Sequence, residues 1–239
     1  PTPPTHHPLA VLEILDLIRR RDLVAADEQI IALEAECSAA AAPSSPPSSS
    51  SSPPPPSSSS SSSSPSSRQT RDVALLYDAL QAQLWAVVAE SVPSLRPYPL
   101  LRSVVRVLER EENADLRPIG GRRGDLNPNP ITVTGRPRNL RRRWEEAVGR
   151  AASDRLAQLA PGGSLGSRLK AMAGRVIGDL GAAWRYAAPL YPPGYDAFGV
   201  YARGYHRAAA QQLMALAQRS LAVPEMYLLL DWNSNAYNR

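Results

Sequence analysis

Few residues in this sequence could do acid–base or nucleophilic chemistry, and they lie far apart. The chain has three histidines and a single cysteine. His206 has no acidic residue or second histidine in local reach, and Cys37 follows Glu34 and Glu36 without the cationic neighbours that lower a thiol pKa. We therefore predict no catalytic residue, no metal site and no cofactor site. His206 is predicted to be a surface or core-edge residue and Cys37 an inert thiol near a helix end.

Sequence motifs for nucleotide binding or hydrolysis are missing as well. The sequence contains no G-x-x-x-x-G-K-[ST], no G-x-G-x-x-G after a strand, no H-E-x-x-H and no G-x-S-x-G. The run Gly162-Gly163-Ser164-Leu165-Gly166 is rich in glycine but lacks a lysine and a preceding strand, so we predict a turn between helices. Neither an enzyme nor a small-molecule substrate is indicated.

Positive charge is concentrated in one segment. Residues Arg117 to Arg150 contain nine arginines against three acidic residues, whereas the rest of the chain is close to neutral. Near the start of a predicted helix lie five of these arginines: Arg136, Arg138, Arg141, Arg142 and Arg143. We predict a candidate site there for an anionic partner, with a solvated loop, an acidic protein and an anionic lipid as open alternatives. Nucleic acid is not predicted, because no aromatic residues alternate with the arginines.

A low-complexity run divides the chain. Pro43 to Ser67 consists of 17 serines and 8 prolines, which offer no apolar surface to offset the entropy of ordering. We predict a disordered insert at 43–67, an N-terminal helical segment at 1–42 and a helical bundle region at 68–239.

Apolar residues recur at intervals of three and four on both sides of this run, as in amphipathic helices. The first segment predicts one helix, or two helices bent near Asp22. The later helices are predicted over about 73–92, 100–112, 140–159, 164–189, 198–216 and from Pro224 onward, with Ser164 as the N-cap of the 164–189 helix. The run Ile131 to Thr134 is predicted to be extended loop, since a single strand is not stable alone.

These patterns predict an all-α protein, an elongated rod of antiparallel helical bundles. Arg239 follows no helix stop signal, so we expect an N-terminal fragment of a longer protein. An aromatic stripe at 191, 195, 198, 201 and 205 predicts a packed helix face, with a peptide-binding groove as the alternative. The sequence contains no run of roughly 20 apolar residues and no signal-peptide pattern at its start, so we expect the cytoplasm.

Two segments resemble a known family. They are Tyr191-Pro192-Pro193-Gly194-Tyr195-Asp196-Ala197-Phe198 and Glu225-Met226-Tyr227-Leu228-Leu229-Leu230-Asp231-Trp232. Together with Leu84-Trp85-Ala86-Val87-Val88 and the passage from Arg136 to Trp144-Glu145, they resemble the exocyst complex component 3 family. The similarity is greatest to the branch of tumour necrosis factor alpha-induced protein 2 and the exocyst component 3-like proteins.

The resemblance implies a non-enzymatic scaffold that tethers secretory vesicles to the plasma membrane. It implies exocyst subunits, SNAREs, a Ral-type small GTPase and anionic lipid as partners, and a cytoplasmic protein peripherally associated with the plasma membrane. An alternative hypothesis is a peripheral membrane-binding module that uses the 117–150 arginines on anionic lipids and promotes membrane protrusions.

Overall fold

The structure is a computed structural model that describes residues 10–41, 65–94, 96–116, 136–159, 162–232 and 234–235. Within these ranges the chain forms eight α-helices and no β-strand, which confirms the all-α prediction. The helices are α1 (Val11–Arg19), α2 (Leu23–Ala41), α3 (Pro65–Ser91), α4 (Pro99–Asp115), α5 (Leu140–Ala157), α6 (Leu165–Ala182), α7 (Ala197–Ala217) and α8 (Val223–Trp232). None of these helices has the length and apolarity that crossing a bilayer would require.

The chain is divided into two compact units. The first unit comprises Pro1–Gln83 and Asn113–Arg138, and the second comprises Leu84–Glu112 and Asn139–Arg239. Helix α3 begins at Pro65, inside the last residues of the Ser/Pro run. The remainder of that run and the segment Ile131 to Thr134 lie outside the described residues, so both sequence predictions for them stay predictions.

In the first unit, the N-terminal segment forms two helices rather than one. Arg21 has a φ of 61°, a left-handed conformation that ends α1, and the backbone oxygen of Asp22 accepts the first hydrogen bond of α2 from the Ala26 amide. Ile14 and Ile30 are among the side chains that pack the two helices into a fully buried core. The break therefore lies at the bend that the sequence predicted near Asp22.

In the second unit, α5, α6 and α7 form an up-down-up arrangement. Gly149 of α5 lies beside Gly204 of α7, and further along both helices Leu156 and Leu216 line one pocket, so residue numbers rise together along these two helices. The two helices are therefore parallel and pack directly on each other. Helix α6 runs in the opposite direction and connects them in sequence. Ser164 caps α6, as predicted, because its hydroxyl accepts a hydrogen bond from the Ser167 amide at 3.3 Å.

The end of α6 differs from the regular helix that the sequence predicted up to Pro189. After Ala182 the chain continues as a π-helical turn over Ala183–Ala187 and then as a 3₁₀ turn over Ala188–Leu190. Pro189 cannot donate a backbone hydrogen bond, which favours the change of helix type. This irregular stretch turns the Trp184 side chain toward solvent, whereas Tyr191 and Tyr195, which follow it, are buried.

Candidate functional site

The five arginines of the predicted anionic-partner site fall into two groups. Arg136 and Arg138 belong to the first compact unit, where they lie just before α5 in the sequence. Arg141, Arg142 and Arg143 belong to the first turn of α5, in the second unit. The environments of the two groups differ in burial and in pairing.

Arg136 is the centre of a buried ion cluster. Its Nε and Nη2 atoms lie 2.9 Å and 2.8 Å from Oε2 of Glu34 in α2, and its Nη1 donates to Oδ1 of Asp115 at 2.9 Å. Its Nη2 also donates to the Tyr77 hydroxyl of α3 at 2.8 Å. The side chain of Arg136 is 9% exposed and that of Glu34 is 6% exposed. One guanidinium therefore connects residues of three helices.

Arg138 completes the same cluster. Its backbone amide donates to both carboxylate oxygens of Asp115, at 3.0 Å and 2.9 Å, and its Nη2 donates to Oε1 of Glu34 at 2.9 Å. Its guanidinium carbon lies 3.1 Å from the centre of the Tyr77 ring, a cation–π contact. Among the described residues, the cluster thus contains two guanidinium groups, two carboxylates and one phenol.

The charges of this cluster balance one another. Removing one partner of a buried ion pair costs about 3–5 kcal/mol, because it leaves the other charge without compensation in a low-dielectric environment. Arg136 and Arg138 are therefore held as structural partners of Glu34 and Asp115, and they anchor the chain just before α5. Their charges are already neutralised inside the protein.

The three arginines of α5 are more accessible. Arg142 is 78% exposed and its nearest acidic partner is Glu146, one turn further along, at 3.5 Å. Arg143 is also exposed. Arg141 is less accessible because its guanidinium stacks at 4.6 Å from the Tyr195 ring centre and donates to the Gly194 carbonyl oxygen. Of the five arginines, Arg142 and Arg143 are the most exposed to solvent.

A groove beside the contact of α5 with α7 brings further arginines next to Arg142. Its walls carry Arg142 from α5, and Arg203 and Arg207 from α7. Glu145 and Glu146 line the same groove, so positive and negative side chains are mixed there. Sequence reasoning did not bring Arg203 and Arg207 together with Arg142, since about 60 residues separate them along the chain.

The aromatic stripe is mainly core, as the sequence predicted. The Trp144 indole donates to the Tyr191 hydroxyl at 3.0 Å, and its ring packs against Tyr191 and Tyr195 at 4.7 Å and 5.6 Å. The Tyr195 hydroxyl donates to Oε2 of Glu112 at 2.7 Å. Burial raises the pKa of Tyr195, and the neighbouring Glu112 carboxylate raises it further. These phenols therefore remain protonated at neutral pH.

A second polar network closes the core where α5, α6 and α7 meet. Arg155 donates two hydrogen bonds to Asp179, at 3.0 Å and 2.6 Å, and the Tyr205 hydroxyl donates to Asp179 at 2.7 Å. Burial raises the pKa of Tyr205, and its hydrogen bond to Asp179 adds to that shift. Asp179 is buried with both oxygens engaged, so this network serves packing. Sequence analysis missed it, because a lone Asp on an apolar helix gives no sign of its partners.

The single cysteine and the helical histidine have ordinary environments. Cys37 is buried on α2, and this burial raises its pKa, with a further increase from the Glu36 carboxylate. His206 is exposed on α7, at the surface where the sequence predicted it could lie. In the part of the chain that the structure describes, no group of three His, Cys, Asp or Glu side chains is arranged to hold a metal ion.

Comparisons with known proteins identify relatives of this chain. An exocyst complex component 3-like protein of Danio rerio is 31% identical over 172 residues, which cover 70% of this chain and 22% of the relative. Tumor necrosis factor alpha-induced protein 2 of Homo sapiens is 30% identical over 172 residues, which cover 71% of this chain and 25% of the relative. The chain therefore spans about a quarter of the length of these curated relatives.

The fold has a solved counterpart. The crystal structure of M-Sec matches 100% of this chain with a TM-score of 0.68, at 23% identity and over 37% of the M-Sec chain. This similarity establishes a helical, exocyst-type fold. The family described as exocyst complex component Sec6 matches residues 70–239, more than two thirds of the chain. The family resemblance read from the sequence is thereby confirmed, and the chain belongs to the Sec6 family of exocyst components.

Proposed function

We propose that this chain is part of a non-enzymatic scaffold that tethers secretory vesicles to the plasma membrane during exocytosis. The observation that carries the proposal is the match of residues 70–239 to the exocyst complex component Sec6 family. Two relatives at 30% and 31% identity carry the names of an exocyst-like protein and of tumor necrosis factor alpha-induced protein 2. A tether works through surfaces on a helical framework, which agrees with the all-α fold.

The scaffold role is supported by how the polar residues of the core are used. Asp179 is engaged by Arg155 and Tyr205, and Glu34 is engaged by Arg136, Arg138 and Tyr77. A general acid or base needs a proton that it can exchange with a substrate, in a cleft that the substrate enters. The buried acids in these two clusters are instead saturated with internal donors. We infer binding rather than catalysis as the work of this chain.

The proposed partners are other exocyst subunits, SNAREs and a Ral-type small GTPase. The protein would act in the cytoplasm as a peripheral component at the plasma membrane. Among these partners, exocyst subunits have the strongest support, because the family itself is named as an exocyst component.

A quantitative affinity purification from cytosol tests the proposal. The bait is the full-length protein that contains this chain, and a parallel bait lacks residues 43–67. Enrichment of exocyst subunits, SNAREs or a Ral-type GTPase on both baits is the expected result. A matched bait with Arg136→Met serves as the control for loss of fold in the first unit. If a folded, helical bait recovers none of these proteins, the tethering proposal is wrong.

A second candidate function is binding of the exposed α5 arginines to anionic lipid, with promotion of membrane protrusions. The observation in its favour is the exposure of Arg142, which lies next to Arg203 and Arg207 in the same groove. Basic side chains near an anionic surface contribute about 1 kcal/mol each, and salt screens this attraction. Arg136 and Arg138 would contribute little, because their charges are paired inside the protein.

Vesicle sedimentation distinguishes this candidate. Vesicles that contain anionic lipid should bind the protein, and the bound fraction should fall steeply as salt rises. Changing Arg142 and Arg143 to Glu should abolish binding, whereas the control Arg219→Glu, an exposed residue beyond α7, should have little effect. Binding that ignores both salt and these substitutions would exclude the lipid candidate.

A further inference from the structure

The outward face of α6 exposes apolar side chains that no part of the described structure covers. Ile177 is 72% exposed and Trp184, in the π-helical turn that follows α6, is 62% exposed. The positions beside them at intervals of three and four are small: Ala171, Gly174, Gly178 and Gly181. We call the surface from Lys170 to Arg185 the α6 face. Small side chains form a strip along this face, with a large apolar side chain at two points and Arg175 beside the strip.

The glycines of the α6 face are not required by the packing of this chain. A Cβ added at Gly174, Gly178 or Gly181 would meet no other atom within 4 Å. At Gly204, in contrast, a Cβ would lie 3.4 Å from the Gly149 Cα, so that glycine permits close packing of α5 on α7. A glycine inside a helix costs about 1 kcal/mol relative to alanine. Three such glycines in α6 therefore weaken a helix whose own contacts gain nothing from them.

Trp184 is held in place although it is exposed. Its ring lies 4.9 Å from the Phe198 ring at an interplanar angle of 78°, an edge-to-face contact. A side chain that is already fixed loses little conformational entropy on binding, and Trp is the residue most enriched at the energetic centres of interfaces. Trp184 therefore has the properties of an anchor for another molecule.

The charges around the α6 face have one sign. Lys170 lies near one end and Arg185 lies at the other, and both are exposed. The acidic residue of α6, Asp179, is buried and paired with Arg155. Fifteen residues separate Lys170 from Arg185, which corresponds to about 22 Å along a helix. A complementary partner would carry negative charges about that far apart, with apolar residues between them.

We propose that the α6 face docks an amphipathic helix of an acidic partner protein. The strip of glycines lets the backbone of the incoming helix approach closely, as ridges of one helix pack into grooves of another. Ile177 and Trp184 pack against the apolar side of that helix. Carboxylates near its two ends pair with Lys170 and Arg185.

A helix fits this face better than a lipid surface does. Binding to an anionic membrane gains from bulky apolar side chains and from clusters of several Lys and Arg residues. Glycines provide neither bulky apolar side chains nor positive charge, whereas small residues in a helix face permit close contact between helices. The inference stands apart from the tethering proposal, since it names a surface and the chemistry of its partner without naming an exocyst subunit.

Site-specific photo-crosslinking in cells tests this proposal with the full-length protein. A benzoylphenylalanine introduced at Ile177 is the probe, and the same amino acid at Asp154, exposed on α5, is the positional control. After irradiation, mass spectrometry identifies what the probe has captured. The expected adduct is a helical segment of another protein, with Asp or Glu residues on both sides of an apolar stretch. It should form at Ile177 and not at Asp154.

Two sets of variants test the details. Gly178→Leu, which fills the strip, and the double change Lys170→Glu with Arg185→Glu should each lower the adduct yield several-fold. Gly178→Ala should also lower the yield while it raises the thermal stability of the chain, so a loss of binding cannot be attributed to unfolding. Capture of lipid alone, of a second copy of this chain, or of nothing at all would overturn the proposal. A positive adduct would stand even if no exocyst subunit copurified.

Discussion

The guanidinium of Arg136 places its Nε and Nη2 atoms 2.9 Å and 2.8 Å from the same carboxylate oxygen of Glu34, although 102 residues separate the two in sequence. The contact joins the segment before α5 to α2 at a point where both side chains are almost fully buried. Asp115 and Arg138 complete the pairing, so each charge has an opposite charge in contact. The cluster therefore makes the first compact unit depend on residues from distant parts of the chain.

Breaking this cluster should destabilise the protein strongly. We expect Arg136→Met to lower the free energy of unfolding by about 3–5 kcal/mol, because Glu34 and Asp115 would remain buried without full compensation. Urea unfolding followed by circular dichroism measures the change. The exposed Arg142→Met is the matched control and should alter the free energy by less than about 0.5 kcal/mol. Equal effects of the two substitutions would show that the cluster contributes nothing specific.

The Cys37 thiol should report on opening of the first unit. Because it is buried and its pKa is raised, we expect it to react slowly with a thiol reagent under native conditions and rapidly in urea. In the Arg136→Met variant the native rate should rise, since the unit opens more often. Spectrophotometric labelling with a disulfide reagent measures these rates. Fast native labelling of the unaltered protein would contradict the buried position of Cys37.

Alkaline pH should unfold the second unit. Burial raises the folded-state pKa values of Tyr191, Tyr195, Tyr201 and Tyr205 above 10, the value of an unfolded tyrosine. The folded state binds the tyrosine proton more tightly than the unfolded state does. The stabilisation from each buried tyrosine is therefore complete below pH 10 and is lost as the pH rises through the folded-state pKa. We therefore expect the free energy of unfolding to decrease above about pH 10, by at most about 1.4 kcal/mol per pH unit for each tyrosine.

Absorbance of ionised tyrosine at 295 nm, recorded with circular dichroism, measures this effect. Ionisation of the buried tyrosines should coincide with loss of helix. Tyr205→Phe should be less stable at pH 7, because Asp179 loses a donor, and its stability should decrease less between pH 10 and pH 11. Ionisation of all tyrosines while the helices persist would argue against the buried network.

Replacing glycine with a larger residue should change the stability of the protein in opposite directions at two positions, Gly204 and Gly174. Gly204→Val should destabilise the protein by about 1–3 kcal/mol, because the branched side chain would overpack against Gly149 and Val148 at the contact of α5 with α7. Gly174→Ala should stabilise it by about 0.5–1 kcal/mol, since the added methyl group meets open space and alanine favours the helix. Thermal unfolding of both variants tests the contrast. A loss of stability in Gly174→Ala would mean that α6 is packed against something in the free protein.

Several features of this protein followed from local sequence patterns. Apolar spacing predicted the helices, and Ser164 was recognised as a cap because its hydroxyl can reach the amide three residues later. The bend near Asp22 and the buried aromatic stripe were likewise predicted. Each of these depends on residues within a few positions of one another, and helical geometry relates such residues directly.

The polar clusters and the exposed surfaces were decided only by the tertiary structure. In the sequence, Arg136 and Arg138 look the same as Arg142 and Arg143, and burial of the first two depends on Glu34 and Asp115. Gly174 and Gly204 both lie in helices, and only the approach of Gly149 distinguishes them. A local pattern determines which face of a helix is apolar. Which charge is neutralised and which glycine stays open depend on long-range contacts, whose partners lie up to about a hundred residues away and leave no periodic signal in the sequence.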